Sequence, residues 1–129
     1  MGSVLTNMSH ALTRQALLLL ALLLGSLTAA AHSELRRSVP AAGAVLMQAP
    51  EQLELYFNER VQLTALRLYR DGSEEISLPR RAIRSATTEI IALPPLPPGA
   101  YRAEWRIISA DGHPAGGAIP FRIEAPNRP

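Results

Sequence analysis

Few side chains in this sequence could do chemistry, and three of them stand out: His32, Asp111 and His113. Asp111-Gly112-His113 places a carboxylate and an imidazole two residues apart around a glycine. In an extended or gently turning segment, side chains at i and i+2 point to the same side, so these two can converge on one point. A second Asp-Gly pair, Asp71-Gly72, lacks a histidine and shows the ordinary turn that such a dipeptide forms. His32 adds a different donor. Residues 16–24 are an unbroken apolar run, preceded by Arg14 and followed by Gly-Ser-Leu-Thr-Ala-Ala-Ala. A basic flank, a short apolar core and a small-residue site make a secretory signal peptide, residues 1–31. Ala29 and Ala31 occupy the A-x-A positions, so cleavage is expected between Ala31 and His32. His32 then carries a free α-amine, and amine and ring Nδ1 together can chelate a metal ion.

Joined with Asp111 and His113, that chelate gives three nitrogens and one oxygen. Such a set in tetragonal array suits Cu(II), which tops the Irving–Williams order, whereas zinc prefers a tetrahedron and Cu(I) prefers sulfur. One Cu(II) per chain, held by His32, Asp111 and His113, is the expectation. It requires a fold that brings the start of the mature chain to the Asp-Gly-His segment. Glu59, between Asn58 and Arg60, reads from the residues alone as a solvated strand end. Met47 is the one methionine beyond the signal and reads as a filler of a core gap. The chain has no cysteine, which excludes thiolate metal sites and disulfides. The histidines are too few for a Ser-His-Asp set besides the metal candidates, and no glycine-rich phosphate loop is present.

The elements that must position these residues are strands. Removing the signal leaves 98 of 129 residues, close to the size of one immunoglobulin-like sandwich. Leu53, Leu55 and Phe57 alternate with polar neighbours, as do Leu66 and Leu68, Ile76 and Leu78, and residues 88–93. The clearest run is 101–107, with Tyr101, Ala103, Trp105 and Ile107 facing one way and Arg102, Glu104 and Arg106 the other. Ile119, Phe121 and Ile123 repeat the pattern. Period two marks half-buried strands, and Gly- and Pro-rich turns at close intervals predict an all-β antiparallel sandwich or barrel, of which the sandwich is favoured. Trp105 and Phe121 should lie at its centre. The proline-rich stretch 93–98 reads as a stiff connection into the Tyr101 strand.

Charge excludes one class of partner. All thirteen basic residues are arginine; twelve remain after cleavage, against eleven acids. The one cluster, Arg80, Arg81 and Arg84, has no interleaved aromatics and reads as a solvated edge, so no nucleic-acid partner is expected. The leucine-rich run is shorter than the roughly 20 apolar residues that a membrane span needs.

The sequence resembles the CopC family of periplasmic copper-binding proteins over nearly all of the mature chain. The stretch HSELRRSVPAAGAVLMQAPEQLELYFNERV is similar to the family's N-terminal His, Ser-x-Pro, Gly and Phe-x-Glu pattern. LPPGAYRAEWRIISADGHPAGGAIPFRI is similar to its Pro-Gly-x-Tyr, Trp-Arg, Ser-x-Asp-Gly-His-Pro and Gly-x-x-x-Phe signature. The resemblance implies an Ig-like Greek-key β-sandwich of about seven strands over residues 32–125, followed by a short tail, 126–129. It implies Cu(II) bound by His32, Asp111 and His113, with Glu59 as the carboxylate behind His113. It implies a periplasmic role in copper resistance or homeostasis, and the expectation is a monomer that binds copper without turnover. A separate CopD-like inner-membrane protein or another copper-handling protein would be the partner. The sequence departs from the methionine-rich members, having no methionine after Met47. Two other readings stay open: a copper-dependent oxidative enzyme with a histidine-brace site, and a metal-free Ig-like accessory module.

Overall fold

A computed structural model of the chain describes residues 34–126; the predicted signal peptide, His32 and most of the short tail lie outside them. Seven strands and no helix make up the described residues: Leu35–Val39 (β1), Ala44–Leu46 (β2), Gln52–Arg70 (β3), Glu74–Ile76 (β4), Ser85–Ala92 (β5), Gly99–Ser109 (β6) and Pro114–Ile123 (β7). The expected all-β class and strand number hold.

β3 organises the fold. Its first part, Leu53 to Tyr56, pairs with β5 on one side, and Glu54 to Phe57 with β1 on the other. Its last part pairs with β4 on one side and β6 on the other. Beyond β6 come β7 and then β2, giving the order β1-β3-β6-β7-β2. One long strand thus pairs with four others, β1, β4, β5 and β6. Two irregularities allow this. Between Tyr56 and Val61 the register with β5 shifts, and between Leu63 and Ala65 it shifts against β6. The second shift resets the alternation: Leu53, Leu55, Phe57, Val61 and Leu63 point inward at odd numbers, then Leu68 at an even one. An extra residue in one strand of a pair produces this bend and change of face. The runs 53–57 and 66–68, separate in the sequence reading, are therefore one strand.

The core forms where the alternation predicts. Trp105 and Phe121 are buried with Leu55, Leu63, Ile107 and Ile119. Phe57 meets Trp105 edge-on with ring centroids 5.7 Å apart, and Tyr101 stacks on Phe121 at 5.3 Å. Each fully buried leucine or isoleucine contributes about 1.5–3 kcal/mol relative to exposure. The proline-rich stretch acts as the expected stiff connection: the Tyr101 hydroxyl donates to the Pro97 carbonyl, and Leu96 is buried.

Two expectations are corrected. The sandwich is not wholly antiparallel, because β2 runs parallel to β7. The turn after β1 carries the chain across to β7 instead of folding it back, and the Gly43 amide donates to the Pro120 carbonyl at 2.7 Å. Met47 fills no core gap. It lies just past this short edge strand and is 52% exposed.

Candidate metal centre

Asp111 and His113 lie on the turn between β6 and β7. They converge as expected, but through a closed turn and not through an extended segment. Gly112 takes a φ of +87°, a conformation glycine adopts without steric cost, and so reverses the chain between them. His113 Nδ1 lies 2.8 Å from Asp111 Oδ2. Both side chains are largely exposed, at 80% and 66%. The other Asp-Gly turn serves as a contrast: Asp71 Oδ1 accepts from the Ala100 amide at 3.0 Å and ties β3 to β6, with no histidine nearby in sequence.

Ser109, the buried last residue of β6, closes the turn. Its hydroxyl donates to Asp111 Oδ1, and its Oγ accepts from the His113 amide at 3.0 Å. Its backbone carbonyl accepts from the Gly112 amide, and its amide donates to the His113 carbonyl, both at 2.9 Å. The Ser109 hydroxyl first, and His113 second, hold the Asp111 carboxyl down at about 2. The sequence reading included this serine only inside a motif and gave it no role. Its signal was the alternation of β6, which puts position 109 on the buried face.

The start of the described chain arrives at the same strand. The Glu34 amide donates to Asn58 Oδ1 at 2.9 Å, and the Asn58 amide donates to the Glu34 carbonyl at 3.1 Å. Ser109 is the register partner of Val61 on the same β3. Glu34, which follows His32 by two residues, and the Asp111–His113 turn are thus anchored three residues apart on β3. At about 3.3 Å per residue that is roughly 10 Å along the strand. Glu59 lies between these two anchors, half-buried, in the segment where β3 leaves its pairing with β5. Among the described residues no group of three His, Asp or Glu side chains is gathered closely enough to hold a metal ion. Asp111 and His113 bring one carboxylate and one imidazole together, one short of such a group.

Residues 35–124 match the family model described as the CopC domain. The chain is 35% identical over 112 residues to the copper transport protein CutJ of Bacillus subtilis, covering 83% of this chain but only 21% of that longer protein. It is 34% identical over 108 residues to copper resistance protein C of Escherichia coli, covering 75% of this chain and 85% of the relative. Among solved structures it resembles PcoC, a methionine-rich copper resistance protein from Escherichia coli, with a TM-score of 0.60 and 32% identity over 73% of this chain and all of that one. CopC from Methylosinus trichosporium OB3b aligns with a TM-score of 0.64 over 75% of this chain and 98% of that one. At 20% identity it speaks for the fold alone.

Proposed function

The chain belongs to the CopC family, and from that premise we propose that it is an exported, periplasmic protein that binds one Cu(II) per chain and sequesters it or hands it over without turnover. His32, freed by cleavage after Ala31, provides its amine and imidazole; Asp111 and His113 provide the remaining donors. The observation that carries this reading is the anchoring of Glu34 and of the Asp-Gly-His turn to neighbouring positions of β3. A chain that must bring its start to residue 111 needs that proximity. The exposed pair offers an open approach for an incoming ion, and the nitrogen-rich set favours Cu(II) over zinc. Glu59, on β3 between the two anchors, fits the carboxylate that would orient a ligating imidazole. A separate copper-handling protein, a CopD-like inner-membrane protein in the simplest case, would give or take the ion.

The test is an EPR-monitored Cu(II) titration of protein shown by mass to begin at His32. One equivalent with a single axial, nitrogen-rich signal is expected. His32→Ala and His113→Ala should each lose most of the affinity. Glu59→Gln should lose about 10-fold, the lower end for residues that orient metal ligands. Copper retention unchanged in either histidine variant would contradict the assignment.

A further inference from the structure

We propose that Ser109 is the positioning residue of the metal centre, fixing which carboxylate oxygen of Asp111 is presented to the ion. The inference rests on the copper-site reading above and adds a residue that does not itself ligate.

Every polar group of Ser109 is engaged with the one turn that carries Asp111 and His113. Its hydroxyl hydrogen goes to Asp111 Oδ1, its Oγ accepts the His113 amide, its amide binds the His113 carbonyl, and its carbonyl binds the Gly112 amide. Ser109 is only 6% exposed and ends β6, where it is paired across to Val61 in the middle of β3. Asp111 and His113, by contrast, are the exposed members of the group. A buried serine therefore holds the exposed Asp111 carboxylate directly and the His113 backbone beside it. Surface carboxylates on turns rotate freely unless something fixes them, and a ligand that must be ordered on binding loses affinity to that ordering. With Oδ1 held by the hydroxyl, Asp111 Oδ2 is the oxygen turned toward His113. That oxygen and the imidazole would be the two donors this turn offers to a copper ion. Ser109→Ala keeps the two backbone–backbone bonds but removes both the tie to Asp111 Oδ1 and the acceptor of the His113 amide, which frees the carboxylate to turn.

The experiment compares Ser109→Ala and Ser109→Thr in the mature protein beginning at His32, by competitive Cu(II) titration, EPR and metal-free thermal melting. Ser109→Ala should weaken Cu(II) binding about 10-fold, in the range for groups that orient metal ligands, with a changed copper hyperfine pattern. Ser109→Thr, which keeps the hydroxyl, should restore both. A general loss of fold would lower the melting temperature without altering the spectrum of the copper that remains bound. Wild-type affinity and spectrum in Ser109→Ala, or a Ser109→Thr variant that folds yet stays as weak as alanine, overturns the proposal. Should Ser109→Ala fail to fold, the His113 amide decides: fast hydrogen exchange in the metal-free wild type would show that Oγ does not hold it. If wild type binds no copper stoichiometrically, the functional reading itself fails, a result separate from any of these.

Discussion

At the scale of single residues, Asp111 ties the proposed chemistry to a measurable electrostatic property. Its carboxyl is held at about 2, below the ordinary 3.8, first by the Ser109 hydroxyl and then by His113. The folded state favours the carboxylate, so the stabilisation is fully present above the ordinary value and lost as the pH falls from near 4 through about 2. The side chain is two-thirds exposed, and solvent screening keeps this contribution small. The functional consequence is larger. Asp111 stays an anion throughout mildly acidic conditions, so in the proposed site acid release of copper would proceed by proton uptake at the nitrogen donors. Imidazoles and α-amines as classes titrate near about 6.5 and 8. Following the Asp111 carboxyl carbon by NMR in the metal-free protein should give a midpoint near 2, moving up toward 3.8 in Ser109→Ala. A wild-type midpoint already at the ordinary value would mean that the hydroxyl does not hold the carboxylate.

At the scale of elements, β6 and β7 form the frame that carries the turn, and their packing tolerates little. Trp105 and Gly117 are register partners, and the indole lies over the glycine. A Cβ at position 117 would sit 2.8 Å from the indole Cζ2 and 3.0 Å from Cε2, inside van der Waals contact with a rigid ring. Gly117→Ala should therefore destabilise the domain by about 1–3 kcal/mol, the usual cost of overpacking, read as a lower urea midpoint. A midpoint equal to wild type would show that the ring has room to move. The same strands show what the sequence made legible. The alternation over 101–107 and 119–123 identified β6, β7 and their buried faces, because a strand with one face in the core writes period two into its residues. β1 and β2 left no such pattern: they are short edge strands, and β2 has no fully buried residue. The continuity of β3 was hidden for a different reason. Asn58-Glu59-Arg60 reads as a polar strand end, yet it lies within the strand at the point where pairing with β5 is interrupted, and the shift near Thr64 breaks the period again. The Asp111–His113 pair was legible from spacing; the alternation of β6 marks Ser109 as buried, but its bonds to the turn were not legible, since they depend on where the preceding strand ends.

At the scale of the whole molecule, the proposed function depends on a covalent event at residue 32. The fold anchors Glu34 at Asn58 and the ligand turn at Val61 through hydrogen bonds and strand register that do not involve the α-amine. Folding and metal binding should therefore separate. Protein carrying one additional residue ahead of His32 should fold with the same melting temperature as the authentic mature chain, because every described core and anchoring contact is retained. Its copper site should differ, since His32 would then offer an amide in place of a free amine and the chelate would be broken. Comparing the two forms by mass-verified Cu(II) titration should show the extended form losing the tight single-site signal while its metal-free unfolding curve overlays that of the mature form. Equal copper binding by both would place the missing donor on another side chain and remove the N-terminal amine from the site. A loss of binding accompanied by a loss of stability would instead show that the start of the chain is part of the fold. The first outcome would make signal cleavage the step that creates the copper site, so that only exported, processed protein could compete for the ion.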